Sequence, residues 1–415
     1  MRVLVPIAYY TPEIAGGLYL ESDLFEDMAK YGWHVDIYTP SPSRGIDRQT
    51  RKLYKNRKLE VRHNGNLLIH RFILPGEHRN SILRAFRYLL LNLIFLLKGI
   101  STEADIVLVG STPPTQGAMG SILKKMKKIP MLYILQDVFP DSLVNCGMIK
   151  KGSIIWSIGR KIEDFTYKNA DTIITISEDF KKNIVSKGVP PEKIEVVHNW
   201  VDEKAVGDID RTRNALFDRF NLDRSKFYIT HCGNIGYTQN IDLLLQVAVD
   251  LEFNKDIAFI LIGDGAYKAD VEKAITTKNI FNVQILPFQP YEKISEVFSL
   301  GDVGLVISKP LIGQNSIPCK TWSIMAARRP VLASFDLDGD LCTMIRKSAS
   351  GFCVQAGDKE KLKEAILYLY NHRDKAIELG SNGRNYIVEN LSRRTGTAKY
   401  IDIISRYEIQ QNRMR

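Results

Sequence analysis

"ADTIITISEDFKKNIVSKGVPPEKIEVVHNWVD", residues 170–202, holds two short apolar runs, DTIITISE and KIEVVHN, on either side of a more polar segment. Short apolar runs bounded by turn residues are typical of buried strands. Similar runs recur upstream and alternate with segments of helical periodicity, such as residues 20–31 and 154–169. These runs are RVLVPIAYY, HVDIYTP, NLLIHRFIL, ADIVLVG and MLYILQD. Alternating strands and helices predict an α/β domain built on a doubly wound parallel sheet.

The same alternation restarts after a break at residues 199–220. The later strand-like runs are KFYITHCGNIG, IAFILIGDG, VQILPF, VGLVIS and PVLASF. At 415 residues the chain is too long for one ordinary core. The sequence therefore predicts two Rossmann-like domains that face each other across a cleft, with ligands beyond the carboxyl ends of the strands.

Composition restricts the class of protein. The chain is 45% hydrophobic and 25% charged, which indicates a globular protein. Its five cysteines include no C-x-x-C pair, so reduced thiols are expected rather than a zinc or disulfide framework. The start MRVLVPI lacks the pattern of a signal peptide, and we expect a cytoplasmic protein.

The net charge of +10 is concentrated in the first half, where residues 44–71 contain only two acids, Asp47 and Glu60. Residues 79–100 follow, and their apolar run, Leu89 to Leu97, has basic residues at its edges and is too short to span a bilayer. Together they favour peripheral contact with the anionic inner face of a membrane. A core helix beside a solvated loop would account for the same sequence without membrane contact, and this alternative stays open. No nucleic-acid-binding module is present, so no nucleic acid partner is expected.

Glycines mark three predicted strand-to-helix turns: Gly16 and Gly17, then Gly233, and finally Gly263 and Gly265. Glycine lets the backbone approach a phosphate or sugar closely. Each turn alone is also typical of an ordinary connection, and no G-x-G-x-x-G motif occurs. Three such turns together favour a ligand site that includes these glycines.

The order of several landmarks resembles glycosyltransferase family four, the retaining glycosyltransferases of the GT-B fold, over nearly the whole chain. The first-half landmarks are similar to the fucosamine transferase-like branch, which adds amino sugars or deoxysugars in O-antigen and capsule assembly. The landmarks are PEIAGG, STPPTQG, LQDVFPDSLVNCG, the stretch 170–202 quoted above, HCGNIGYTQNID, FILIGDG and SIPCKTWSIMAARRPVLAS.

The resemblance implies an acceptor-binding domain at residues 1–200, a nucleotide-sugar-binding domain at 201–390, and a C-terminal helix at 391–415 that crosses back to the first domain. It implies retaining transfer from a nucleotide diphosphate sugar, expected to be UDP-linked, to a polyprenyl-diphosphate-linked saccharide. No metal or other cofactor is implied. The acidic run at residues 335–341 is interpreted as a surface loop rather than a D-x-D metal site.

The resemblance also implies donor-binding residues. Gly16 and Gly17 match the family's glycine loop, while the family's Arg and Lys positions fall on Asn234 and Gln239. Amide side chains still donate hydrogen bonds, but without a charge. Lys320 aligns with the lysine of the branch's P-S-K and is expected to supply a cation.

The family's E-x₇-E glutamates should fall on Asn315 and Ser323, and neither is glutamate. Arg328 also replaces a glycine of the family pattern. We therefore expect the loop to bind a nucleotide sugar through backbone N–H groups, Ser316, Lys320 and Ser323.

Asp137, in QDVFPDS, matches the first acid of the branch's D-x-x-P-E and follows a predicted strand. A carboxylate there could orient an acceptor hydroxyl as the catalytic residue. Capping of the following turn is the alternative role.

Two other functions fit parts of the pattern. A GT-B-fold UDP-sugar 2-epimerase would share the architecture but needs acidic and histidine groups for proton transfer. A non-catalytic partner subunit that binds only nucleotide sugar or lipid would explain the missing glutamates.

Overall fold

The computed structural model describes residues 1–13, 17–76, 81–145, 147–313 and 317–414. The chain divides into two compact units. Unit 1 comprises Met1–His198 together with the residues from Gly396 onward, and unit 2 comprises Asn199–Thr395.

Unit 1 is built on an eight-stranded sheet in the order β3-β4-β2-β1-β5-β6-β7-β8. All neighbouring strands run parallel except β3 and β4. Its elements are β1 (Arg2–Pro6), α1 (Leu18–Lys30), β2 (His34–Pro40), α2 (Arg48–Tyr54), β3 (Leu59–Arg62), β4 (Leu67–Phe72), α3 (Ser81–Ser101), β5 (Ile106–Gly110), α4 (Gln116–Lys127), β6 (Met131–Leu135), α5 (Asp141–Asn145), α6 (Ile154–Asn169), β7 (Thr172–Thr175), α7 (Glu178–Ser186) and β8 (Ile194–Val196).

Unit 2 is built on a six-stranded sheet in the order β11-β10-β9-β12-β13-β14, with every neighbouring pair parallel. Its elements are α8 (Leu216–Arg219), β9 (Phe227–Asn234), α9 (Ile241–Asp250), β10 (Ile257–Asp264), α10 (Lys268–Thr277), β11 (Val283–Leu286), α11 (Ile294–Phe298), β12 (Val303–Ile307), α12 (Lys320–Ala326), β13 (Val331–Phe335), α13 (Asp340–Lys347), β14 (Gly351–Gln355), α14 (Lys359–Asn371) and α15 (Arg373–Asn390).

The last helix, α16 (Arg393–Met414), packs with unit 1 from Gly396 onward. Thr397 donates a hydrogen bond to Asp27 over 3.1 Å, and the Trp33 indole donates to Glu408 over 3.2 Å. These contacts hold the end of the chain against α1 and the residues that follow it.

The two doubly wound α/β units confirm the predicted fold class. In unit 2 the strand order is that of the Rossmann fold, and the order reverses between β9 and β12. The corresponding reversal in unit 1 lies between β1 and β5. Crossovers leave these points in opposite directions, so a crevice opens there beyond the carboxyl ends of the strands.

The basic stretch at residues 44–71 is more ordered than a loop. It contains α2, β3 and most of β4, and only β4 was predicted. Helix α2 buries none of its residues and begins where Asp47 accepts the Thr50 N–H over 2.7 Å, so no apolar periodicity could reveal it. Strand β3 is a short antiparallel edge strand, a type that the parallel pattern does not predict.

Helix α3 has two apolar faces. Leu91 and Phe95 are buried in the core of unit 1, as the core-helix interpretation expects. On the opposite side, Phe86, Leu89 and Leu93 are 61%, 68% and 51% exposed, and Leu97 is 61% exposed. The exposed apolar side chains are the feature that membrane contact requires. Among the described helices, none is both long and apolar enough to cross a bilayer.

Candidate functional site

An open pocket of about 270 Å³ lies in unit 2 where the sheet order reverses. Cys232 and Gly233 at the end of β9 line one side of it, and Ile307 and Ser308 at the end of β12 line another. Lys320 is the one charged side chain among its described lining residues. We call this the β9/β12 pocket; its position and its single cation suit an anionic ligand.

Lys320 lies at the first turn of α12, with its Nζ 3.2 Å from Nε2 and 3.4 Å from Nδ1 of His231. Burial lowers the pKa of His231 to about 3, so its imidazole is neutral. Burial also lowers the pKa of Lys320 to about 8. No carboxylate of the described chain pairs with Lys320, so at neutral pH it is a partly buried cation without a counter-ion. A bound anion would relieve that cost.

Asn234 and Gln239 line the same pocket and bond to each other. The Asn234 amide donates to Gln239 Oε1 over 3.2 Å, and the Gly236 N–H donates to the same oxygen over 3.0 Å. Gln239 therefore holds the glycine turn in shape. The two amides predicted to replace the family's charged pair act here as one hydrogen-bonded unit.

Gly263 and Gly265 pack behind the turn rather than lining the pocket. A Cβ on Gly263 would lie 1.8 Å from the Gly233 carbonyl oxygen, and one on Gly265 would lie 2.3 Å from the Ile235 carbonyl oxygen. These glycines are needed because β9, β10 and their turns approach closely. Gly263 thus sets how closely β10 approaches Gly233, which lines the pocket, and Gly265 does the same for Ile235.

The remaining predicted donor residues of unit 2 are not among the described residues that line the pocket. Ser323 is buried on α12 and is not among the residues that line the pocket. Ser316 lies outside the described residues, as does Asn315. Arg328 has a φ of 56°, in the left-handed region that glycine adopts at least cost, which explains why a glycine suits this position in the family pattern.

A second open pocket, of about 230 Å³, lies in unit 1 between the ends of β1 and β5. Gly17, Glu21 and Arg44 line it together with Ser111 and Gln136. Gly17 precedes α1 with a φ of 84°, a conformation that favours glycine. Gly16 lies outside the described residues. We call this the β1/β5 pocket.

Glu21 is a site residue that sequence reasoning missed. Its carboxyl group faces the β1/β5 pocket and makes no hydrogen bond or ion pair with any described residue. Burial raises its pKa to about 8, so the group is mainly a neutral acid at pH 7. Its sequence context, the first turn of a helix, suggests only a favourable dipole interaction, and nothing local signals desolvation.

Asp137 lies just beyond β6, beside the β1/β5 pocket but not among its lining residues. Its N–H and that of Gln136 both donate to Ser111 Oγ, over 3.3 and 3.1 Å. Its carboxylate accepts from Ser142 over 3.1 Å, and partial desolvation raises its pKa. The side chain is solvent-exposed. It thus bonds to the following turn and is also available to a ligand.

We expect Glu21→Gln to change the pH dependence of stability. The folded-state pKa of about 8 lies above the ordinary 4.5, so the stability from this acid is complete below pH 4.5 and is lost as pH rises through 8. The neutral amide cannot ionise, so between pH 5 and pH 9 the unfolding free energy of the variant should rise by about 4 kcal/mol relative to that of the wild type. Chemical denaturation at both pH values measures this difference.

The matched control is Glu178→Gln, at an exposed position in the first turn of α7. Its stability relative to the wild type should stay constant over the same range. A constant difference for Glu21→Gln as well would contradict the neutral-acid assignment.

Among the described residues, no cluster of three or more His, Cys, Asp or Glu is placed to hold a metal ion. Asp336, in the acidic run, accepts the backbone N–H groups of Leu311 and Gly313 and so anchors a loop. Cys232, Cys319, Cys342 and Cys353 are free thiols, and Cys146 lies outside the described residues.

Two family descriptions match the chain. Residues 22–205 match Glycosyltransferase Family 4, and residues 212–386 match Glycosyl transferases group 1. One match falls in each half of the chain, and together they include most of its length.

Relatives with similar sequences have glycosyltransferase names. The chain is 26% identical to the probable glycosyltransferase WbjE of Pseudomonas aeruginosa, over 71% of this chain and 74% of that protein. It is 25% identical to the putative colanic acid biosynthesis glycosyl transferase WcaI of Escherichia coli, over 79% and 81%.

Solved structures agree on the fold. Sucrose-phosphate synthase from Thermosynechococcus elongatus superposes with a TM-score of 0.78 and 16% identity, over 99% of both chains. HepE from Anabaena, solved in complex with UDP-glucose, superposes with a TM-score of 0.72 and 14% identity, over 98% of this chain and 99% of HepE. At these identities the comparison shows a shared fold.

Proposed function

Because the chain belongs to glycosyltransferase family 4 and has the GT-B fold, we propose that it moves a sugar from a UDP-linked donor to a lipid-linked saccharide during polysaccharide synthesis. The transfer retains the anomeric configuration and needs no metal ion. The observation that carries the proposal is Lys320, a cation that no carboxylate of the described chain pairs with, in a pocket at the reversal of the unit 2 sheet.

The β9/β12 pocket suits the diphosphate of the donor. Gly233 leaves room for a phosphate to approach the backbone at the end of β9, and Lys320 supplies the positive charge. As the bond to the sugar breaks, negative charge grows on the leaving diphosphate, and a fixed cation stabilises that change. The UDP-glucose complex of HepE, which has the same fold, supports uridine diphosphate as the nucleotide.

The β1/β5 pocket suits the acceptor. Asp137 can accept a hydrogen bond from an acceptor hydroxyl and so orient it. Glu21, as a neutral acid, can donate a hydrogen bond to a sugar oxygen, which an ionised carboxylate cannot do. We propose an amino sugar or a deoxysugar as the transferred group, on the resemblance to the O-antigen and capsule branch. The colanic acid name of WcaI supports surface polysaccharide as the product.

We further propose that the protein acts at the cytoplasmic face of the membrane and that the exposed side of α3 contacts the lipid. Leu89→Glu with Leu93→Glu should weaken binding to anionic vesicles at least about tenfold, because two exposed leucines can no longer enter the bilayer interface. Sedimentation with vesicles measures the change.

Phe253→Glu with Phe281→Glu is the control for that pair. These two aromatic residues of unit 2 are 73% and 87% exposed. Their replacement by glutamate adds the same charge as replacement of the two leucines. Equal losses for the two double variants would exclude α3 as the membrane-binding face.

The epimerase alternative is less well supported. No carboxylate lines the β9/β12 pocket within the described chain, whereas proton transfer at a sugar carbon needs an acid and a base. Incubation with a single UDP-sugar and no acceptor separates the two reactions. A second sugar nucleotide in the product would favour the epimerase.

The test of the proposed function is a panel of nucleotide sugars, scored by the melting temperature of the purified protein. A ligand that binds only the folded state raises that temperature by mass action and needs no acceptor. We expect one UDP-sugar to stabilise the protein and to be consumed once a lipid-linked saccharide is added. If no nucleotide sugar shifts the transition, the donor assignment is wrong and the non-catalytic alternative leads.

A further inference from the structure

Arg44 is the one cation among the described residues that line the β1/β5 pocket. Its side chain makes no hydrogen bond or ion pair with any described residue, and its guanidinium lies over the Tyr9 ring, 5.5 Å from the ring centroid. A guanidinium that rests on an aromatic face keeps the N–H groups at its edge free for bidentate binding of an anion. Within the described chain, the pocket therefore contains a charged donor group without a counter-charge.

The backbone that carries Arg44 is fixed by a buried carboxylate. Glu13 is buried, and its Oε1 accepts the N–H groups of Ser43 and Arg44 over 2.8 and 3.0 Å. Its Oε2 accepts the Tyr10 N–H over 3.2 Å, which ties the segment to the residues that follow β1. Arg51 also donates to the Ser43 carbonyl oxygen over 3.1 Å. Because a buried carboxylate joins these N–H groups, the Arg44 side chain starts from a defined position beside the pocket.

The aromatic side of the site is also constrained. Tyr9 is buried, and its hydroxyl lies 3.4 Å from that of Tyr88 in α3. Its ring lines the pocket and supports the guanidinium of Arg44. An arginine that already rests on a fixed ring loses less side-chain freedom when it binds an anion.

The one carboxyl group among the described lining residues does not oppose an anion at neutral pH. Glu21 shares the pocket with Arg44, and burial raises the pKa of Glu21 to about 8. A neutral acid adds a hydrogen-bond donor and no negative charge. At pH 7 the positive charge of Arg44 is therefore not cancelled by the described lining.

The place and size of the pocket suit a single sugar. Gln136 lines it and directly precedes Asp137, the residue proposed to orient the acceptor hydroxyl. Its volume of about 230 Å³ is below the roughly 300–1,000 Å³ that is typical for drug-sized ligands. An anion bound by Arg44 at this place would be a substituent of the sugar that accepts the transferred group.

We propose that the acceptor is an acidic saccharide, whose carboxylate or phosphate substituent Arg44 binds in the β1/β5 pocket. The inference rests on the proposed function, which takes this pocket as the acceptor site, and it adds the chemical class of the acceptor. Arg44 is then a specificity-determining residue. A neutral sugar would displace water from the guanidinium without replacing its hydrogen bonds by charged ones, whereas an anionic sugar provides charge-assisted bonds.

The test uses the full chain and soluble methyl glycosides that differ only at C6. The glucuronide, galacturonide and mannuronide are compared with the neutral glucoside, galactoside and mannoside, and the 6-phosphates of the neutral glycosides form a third set. Ligand-observed NMR titration measures the affinities. We expect at least one anionic glycoside to bind about tenfold or more tightly than its neutral counterpart. The set in which this preference occurs identifies carboxylate or phosphate as the bound group.

Arg44→Met should remove this preference, because a thioether cannot bind an anion. The variant should melt at the wild-type temperature, since the Arg44 side chain makes no hydrogen bond or ion pair with the described chain. Arg48→Met is the matched control, at an exposed position in the first turn of α2 where the side chain also has no described partner. It removes the same charge and should keep the preference. Lack of any preference in the wild type, or its survival in Arg44→Met, would overturn the proposal.

Inorganic pyrophosphate tests the lipid carrier as the source of the anion. If pyrophosphate binds in a manner that depends on Arg44 while no anionic glycoside is preferred, the anion belongs to the carrier and the acidic-sugar assignment is wrong. None of these titrations contains a donor. Stabilisation by a UDP-sugar without any preference among the glycosides therefore counts against this inference alone. A preference that depends on Arg44, without stabilisation by any UDP-sugar, counts against the proposed function alone.

Discussion

Replacing Lys320 by methionine is expected to weaken binding of a UDP-sugar about 10- to 100-fold. Lys320 is the one charged side chain of the described β9/β12 pocket, and hydrogen bonds to a charged group contribute about 1.5–3 kcal/mol. Methionine has a similar length and keeps the packing beside His231. Titration calorimetry with the UDP-sugar that stabilises the wild type measures the change.

The folded state should tolerate this substitution. Burial already disfavours the charged lysine, as its lowered pKa shows, so the free variant should melt at the same temperature as the wild type or higher. Lys278→Met, at an exposed position after α10, is the matched control and should bind the donor normally. Equal donor affinity in Lys320→Met and the wild type would remove Lys320 from the donor site.

The pH profile gives a second readout for the same lysine. A diphosphate prefers the protonated amine, so wild-type affinity should be full below the pKa of about 8 and should fall as pH rises through it. His231 and Cys232 have pKa values of about 3 and about 12, so neither titrates in this window. The methionine variant should show a flat profile from pH 7 to pH 9.

Replacing Gly263 by alanine is expected to cost about 3 kcal/mol or more of unfolding free energy. Gly263 pairs with Gly233 across β9 and β10, with a φ of 154° that few residues other than glycine adopt. Its added Cβ would lie 1.8 Å from the Gly233 carbonyl oxygen, a backbone atom that cannot rotate aside. Urea denaturation measures the loss, and donor binding should fall with it because Gly233 would shift.

Gly207→Ala is the control for the cost of a methyl group on a glycine in unit 2. A Cβ there has no atom within 4 Å, and its backbone needs no positive φ. Its unfolding midpoint should match that of the wild type. If Gly263→Ala unfolds at the same urea concentration as Gly207→Ala, the two strands are not packed as closely as described.

Local sequence patterns were sufficient to predict much of the fold. The strand-like runs and the glycine turns follow from residues a few positions apart, and the two α/β units confirm them. The same dependence on local patterns explains why α2 and β3 were not predicted. Neither buries an apolar stripe of its own, so neither has a periodicity to detect.

The candidate donor site was predictable only in part. Lys320 was predicted by resemblance, and it lines the pocket with Gly233, Asn234 and Gln239. Ser323 was predicted on the same grounds but lies outside the lining. A helix places successive side chains on different faces, and a comparison of sequences alone does not say which face of the helix lines the pocket.

The sequence by itself determined the class of protein, the two α/β repeats and the turns at which ligands could bind, because each depends on the spacing of neighbouring residues. The tertiary structure decided the rest. Lys320 meets His231, 89 positions away, because β9 and β12 are adjacent at the reversal of the sheet. Glu21 is neutral and α3 exposes its leucines for the same reason: desolvation depends on what packs against a side chain, and that is set by the whole fold.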